Sequence, residues 1–206
     1  MTGITISRAL TLSAVFLAGT TAVTATPAQA AEVKITSLGS HAGEFCRQDR
    51  ALIFEDPDGT RLLYDPGRTV AGGNDPRLGK IDAVLVSHMH GDHAGDRHLP
   101  APGAGTCAKP DVSAKATPHT NAANIAIATG AKIVTGSEMP KFFAGKLKAL
   151  GGDPKKSVLV RFGASTAVGG VTITTVPAAH SNGVAGAMVG GELGKMLDAA
   201  GLTAYA

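Results

Sequence analysis

An almost wholly apolar, β-branched run at residues 81–86 leads without a break into Ser87-His88-Met89-His90-Gly91-Asp92-His93-Ala94-Gly95-Asp96. The run reads as a strand buried on both faces. It therefore belongs in the middle of a sheet, with cover on each side. Its C-terminal end carries three of the chain's seven histidines within six positions. Imidazole and carboxylate are the ligand types that borderline divalent metals take. His88 and His90 are two apart, so both point to one side of an extended segment. Asp92 and His93 follow Gly91, where the chain can turn and send them toward a second metal beside the first. A strand end opening into a loop is also where α/β folds place their sites.

The rest of the chain reads as alternating short elements. Residues 33–38 form a strand by alternation, and Gly39 to Gly43 breaks it. Residues 51–54 and 61–64 are two apolar runs around Asp56-Pro57-Asp58-Gly59, a hairpin signal. Asp65-Pro66-Gly67 ends the second run, and residues 72–80 are a loop. Residues 121–129 read as a helix ended by Gly130, and 132–135 as a strand. A second helix runs from an N-cap at Ser137 through Leu150, with Pro140 tolerated in its first turn. Residues 157–162 and 171–176 are strands, Gly169-Gly170 is a turn, and 192–200 is a weak helix. Hairpins first and helix–strand alternation later indicate an α/β or α+β layered domain.

Composition narrows the function classes. Hydrophobic residues are 44% and charged residues 17%, which excludes a disordered acidic tail, a coiled coil and a collagen-like chain. A net charge of +3 without a Lys/Arg cluster argues against a nucleic-acid partner, as does an aromatic content of 4% with no Trp. Arg8 is the sole charge before Glu32. An apolar core at residues 9–19 and the small pair Ala28 and Ala30 follow it. This is the pattern of a secretory signal, cut after Ala30. Residues 1–30 are thus expected to be a signal peptide and 31–206 the domain. The destination is periplasmic or secreted, with no stable membrane anchor after cleavage. Cys46 and Cys107 would then meet an oxidising compartment. They are read either as a disulfide or as two buried thiols.

His88-Met89-His90-Gly91-Asp92-His93 matches the His-x-His-x-Asp-His motif of the metallo-β-lactamase superfamily. Leu38-Gly39 with His41-Ala42-Gly43 resembles the start of its lactonase-like branch, with Ser40 as an extra residue. Leu62 to Gly67 resembles the superfamily's strand ending in Asp-Pro-Gly, and Ala179-His180-Ser181 its third-histidine motif. The resemblance covers most of residues 33–183. It implies an αββα sandwich with the metals at one edge of the sheets. It further implies that His88, His90 and His180 hold a first metal, and Asp92 and His93 a second. Zinc is the expected ion, two per complete protein, with Mn or Fe also compatible. Two readings of Asp65 stand: an outer carboxylate that orients a ligand imidazole, or a turn-forming residue before Pro66. His41 is a candidate for lining the site. His98 and His119 are expected to be solvated, and Asp96 to act as a local cap.

The resemblance has a gap. The superfamily uses an aspartate that bridges the metals and a late histidine. After His180 there is no histidine, and the only aspartate is Asp198, in a helix-like stretch. The chain is therefore expected to be an N-terminal fragment. In the complete protein the resemblance implies a metal-dependent hydrolase, with Asp92 and His93 as catalytic residues, and the signal-like residues 1–30 imply that it is exported. It would use metal-activated water on a small-molecule ester, lactone or phosphodiester. A reading from another class is a non-catalytic metal-binding envelope protein, or an inactive fragment. A third is di-iron redox chemistry, for which no flavin-binding motif is present.

Overall fold

The computed structural model describes residues 32–42 and 45–178, together with the backbone of 184–185 and 203–204. The expected signal peptide, His180 and the weak helix at 192–200 lie outside the described residues.

A six-stranded mixed sheet forms the centre, with strand order β1-β2-β3-β4-β7-β8. Its strands are β1 (Lys34–Ser37), β2 (Leu52–Glu55), β3 (Arg61–Tyr64), β4 (Ala83–Leu85), β7 (Lys132–Thr135) and β8 (Ser157–Leu159). Strands β1, β2 and β3 pair antiparallel, and the Asp56–Gly59 turn closes the β2–β3 hairpin as its sequence predicts. Strands β3, β4, β7 and β8 then run parallel. Parallel neighbours need crossover connections, and helix α1 (Asn121–Thr129) and helix α2 (Met139–Ala149) lie within two of them.

Side chains alternate between two cores as the pleat requires. Ile53, Leu63, Val84 and Ile133 point to the face covered by α1 and α2, where they meet Ala122, Ile125, Ala126, Phe143 and Leu147. Phe54, Leu62, Ala83, Leu85, Val134 and Val158 point to the other face. There they meet Val168, Val171 and Ile173 from the hairpin of β9 (Ser165–Val168) and β10 (Val171–Thr174). The buried-on-both-faces reading of residues 81–86 is thus met at Ala83 and Val84, which are both fully buried. Short pairs complete the elements: β5 (Arg97–His98) with β6 (Ala114–Lys115), and β11 (Val184–Ala185) with β12 (Thr203–Ala204).

The layered α/β expectation holds, and three local details differ. Strand β9 was not foreseen, because Ser165-Thr166-Ala167-Val168 carries too little apolar signal. Strand β8 ends at Leu159, ahead of the turn at residues 162–163 and short of residue 162, and strand β10 ends at Thr174, short of residue 176. Ser137 is not the cap of α2. It sits at φ 55° in the turn leaving β7, and Glu138 takes the capping position without a side-chain bond.

Cys46 and Cys107 form a disulfide with Cα atoms 5.0 Å apart and a separation of 61 positions in sequence. Closing a loop of that length restricts the unfolded chain by about 4 kcal/mol on the loop-entropy model. We expect Cys46→Ser with Cys107→Ser to lower unfolding stability by about 2–5 kcal/mol in urea titrations. An unchanged midpoint and slope would contradict this.

Candidate metal centre

The site stands at the C-terminal ends of the adjacent parallel strands β3 and β4. Strand β3 delivers Asp65, whose backbone N–H still bonds to Leu85 O at 2.9 Å. Strand β4 delivers Ser87 and the histidines. Met89 turns into the helix-side core at 5% exposure, which leaves its neighbours His88 and His90 on the opposite side. A wide helical turn, Gly91–Gly95, then carries Asp92 and His93 back over the strand ends. Two glycines let this turn approach. A Cβ on Gly67 would overlap the Asp92 carbonyl, and one on Gly95 would overlap Asn121 and the Gly67 carbonyl. Both have positive φ, a backbone conformation that favours glycine. Asn121, buried at the start of α1, donates to Gly67 O and Val70 O at 3.0 and 2.8 Å. It thereby ties α1 to the loop beneath the turn.

Asp65 is the hub. It is fully buried and sits at φ 42°, a left-handed conformation that Asp tolerates better than most residues. Its carboxylate accepts from the Ser87 backbone N–H at 2.8 Å and from the Ser87 hydroxyl at 2.7 Å. It also accepts from His93 Nδ1 at 2.7 Å. A carboxylate only accepts, so the proton of His93 lies on Nδ1, and Nε2 presents a lone pair outward. The Ser87 hydroxyl spends its proton on Asp65, so it accepts from His88 Nδ1 at 2.9 Å. That fixes the other nitrogen of His88, Nε2, as a lone-pair donor too. Of the two readings of Asp65, the orienting carboxylate describes these contacts.

The His88 ring is packed against both of its neighbours, with centroids 4.6 Å from His90 and 4.0 Å from His93. His88 Nε2 faces His90 Nδ1 at 2.9 Å. Two imidazole nitrogens bound to one tetrahedral zinc at about 2.0–2.1 Å stand about 3.4 Å apart. Their present spacing is therefore close to the edge of such a site. His93 Nε2 lies 3.7 Å from Asp92 Oδ2, and Arg50 Nη2 lies 3.3 Å from that same oxygen. Among the described residues no three His, Cys, Asp or Glu side chains converge on a single metal position. His88 and His90 make one pair and Asp92 and His93 another, and His180 is outside the described residues. The donor set fits a divalent metal all the same. It comprises the His88 and His90 imidazoles, whose facing nitrogens share one proton that a metal would displace, a carboxylate, and an imidazole whose far nitrogen is anchored by a buried carboxylate. That last feature is the outer support found behind metal-bound histidines.

Surrounding charges hold the frame. Arg68 clamps Asp96 through two hydrogen bonds of 2.7 and 3.1 Å. Burial pushes the Asp96 carboxyl up, but the Arg68 hydrogen bonds and charge outweigh it and hold the carboxyl below its usual range. Asp96 also accepts from the Arg97 backbone N–H at 2.9 Å, a local bond beside the Arg68 clamp. Burial, then the Asp65 charge, pushes the Tyr64 phenol up. His98 is half-buried, with Nδ1 2.7 Å from Leu99 O, and so is less solvated than expected. His119 is exposed as expected. His41 lies in a cleft of about 430 Å³ with Ser40, Phe45, Arg77 and Pro102, a lining that includes none of the clustered histidines. Sequence reasoning passed over Ser87, Arg50 and Arg68. Only Ser87 carried a signal, as the hydroxyl residue joining the buried strand to the first histidine.

A family model described as a β-lactamase superfamily domain matches residues 48–205. The chain belongs to the metallo-β-lactamase superfamily. It is 28% identical over 173 residues to a UPF0173 metal-dependent hydrolase of Pyrococcus furiosus, covering 84% of this chain and 60% of that protein. A protein of the same description from Anaeromyxobacter dehalogenans is 29% identical, over 66% of this chain and 41% of the relative. One from Pyrococcus abyssi is 30% identical, over 70% and 52%. The chain thus spans between 41% and 60% of the length of these relatives. No solved structure matches it significantly.

Asp65→Asn keeps the size of the hub and offers an amide N–H where a carboxylate accepted. We expect it to weaken zinc binding about 10–100-fold, as loss of an outer partner does. Competition with a zinc-selective chelator measures this, and unchanged affinity would remove Asp65 from the site.

Proposed function

We propose that the chain is the metal-binding part of an exported metal-dependent hydrolase acting on a small-molecule ester, lactone or phosphodiester. The observation that carries this is the 2.7 Å contact from His93 Nδ1 to the buried Asp65 carboxylate. It turns the imidazole's other nitrogen toward Asp92 and leaves the His88–His90 pair alongside. His88, His90 and His180 are proposed to hold one metal, and Asp92 and His93 a second. Zinc suits this set of imidazoles and a carboxylate. The superfamily membership and the descriptions of the three relatives as metal-dependent hydrolases support the reading.

A divalent metal bound there supplies an activated water nucleophile and polarises the bond under attack. The chain's own residues supply orientation. Asp65 keeps the proton on His93 Nδ1, and Ser87 keeps one on His88 Nδ1. The Gly67 and Gly95 contacts hold Asp92 and His93 over the strand ends. Asp92 and His93 are proposed as the catalytic pair on the resemblance of His88 to His93 to the superfamily's motif.

Export is proposed from the charged start, short apolar core and small-residue cut site within residues 1–30. The Cys46–Cys107 disulfide supports it, since such bonds persist in oxidising compartments. Among the described residues no helix is long and apolar enough to cross a membrane.

His90→Ala is expected to lower zinc affinity by at least about tenfold and to bring hydrolysis of generic ester, lactone and phosphodiester probes to background. Retained zinc and rate would sink the ligand assignment. Zinc bound by the wild type without turnover of any probe would favour a non-catalytic metal-binding role. For export, the mass of the protein from the envelope fraction should place its first residue at Ala31; an intact Met1 would overturn that proposal.

A further inference from the structure

Arg50 reaches the cluster from outside the strand ends. Its Nη2 lies 3.3 Å from Asp92 Oδ2, and its Nη1 donates to Asp49 O at 2.9 Å. The two side chains of the ion pair are 39% and 31% exposed, too open for the pair to matter much to stability. The place of Arg50 is nevertheless set by its loop. The Cys46–Cys107 disulfide ties one end. The Asp49 carboxylate accepts from the backbone N–H groups of Ser40 and Cys46, each at 2.8 Å. Leu38 N donates to Ala51 O at 2.9 Å, just beyond Arg50. A fixed loop therefore presents a guanidinium to one carboxylate of the candidate site.

The oxygen it meets is the one that His93 Nε2 faces at 3.7 Å. A divalent cation taken by Asp92 and His93 would need that oxygen and would sit within a few ångströms of the guanidinium. A doubly charged cation repels a guanidinium twice as strongly as a single charge would, so the repulsion persists at this partly exposed position. We propose that Arg50 is a built-in cation that competes with a second metal for Asp92. It neutralises the carboxylate while that metal is away, and it must turn aside for the metal to bind. This rests on the metal reading above and goes further, because it assigns the two positions different affinities. Its guanidinium pairs with Asp92, the carboxylate of the second position, so its charge bears mainly there.

The test is zinc titration by isothermal calorimetry on the full chain with its disulfide intact. It compares wild type with Arg50→Met, Arg50→Gln and Arg50→Lys. Removing the charge should tighten the weaker zinc about tenfold or more, or reveal a second zinc where the wild type takes one. The tighter zinc should change by less than about threefold, and Arg50→Lys should stay near the wild type, because its charge is kept. A weaker zinc that is unchanged or loosened in both Arg50→Met and Arg50→Gln overturns the proposal and leaves the metal reading standing. Equal tightening of both zincs overturns it as well. If the wild type takes no zinc, the metal reading fails, and the proposal fails with it.

Discussion

A carboxylate removed from water must find hydrogen-bond donors, and the satisfaction of Asp65 organises everything around it. Three donors answer: the Ser87 N–H, the Ser87 hydroxyl and His93 Nδ1. Two of the three come from Ser87, two residues past the end of β4. The third comes from the turn that follows. The need to satisfy one buried charge therefore joins β3, β4 and the Gly91–Gly95 turn at a single point. It also decides which nitrogen of each imidazole carries hydrogen. The left-handed backbone at Asp65 is the local strain this arrangement tolerates, and strain of this sort is characteristic of sites.

Much of this was legible in the sequence. Residues 81–86 announced a strand in the middle of the sheet, because a short, β-branched run that is apolar at successive positions suits a strand covered on both faces. The two-residue step from His88 to His90 correctly implied a shared side, and Met89 confirms it by pointing into the core. Gly130 ended α1 with φ 70°, as a glycine following a helix would. What escaped detection depended on partners distant in sequence. Arg68 and Asp96 are 28 positions apart, and nothing in either neighbourhood marks the other. Arg50 lies 42 positions before Asp92, in a loop whose course is set by a disulfide. The overlap of the Gly95 position with Asn121 is likewise a property of packing. Ser137 misled for a simpler reason: it stands in the turn leaving β7, one residue before the position that caps the helix.

The two faces of the central sheet are unequally served. Helices α1 and α2 seal one face, where Ile53, Leu63, Val84 and Ile133 are fully buried. On the other face Phe54, Leu85 and Val158 remain only partly buried under the β9–β10 hairpin. The site belongs to neither face. It sits on the edge where the parallel strands end, so its geometry follows from strand register and from the turn, and less from how completely either face is covered.

The disulfide has one more consequence. Asp65, Ser87, His88, His90, Asp92, His93 and Arg50 all lie between Cys46 and Cys107, inside a single covalent ring. A backbone cut in an exposed loop of that ring, such as the one around Gly103, would not release either piece. The nicked chain would remain one molecule, with the piece that carries the histidine cluster still tied to the C-terminal piece, until the sulfur–sulfur bond was reduced.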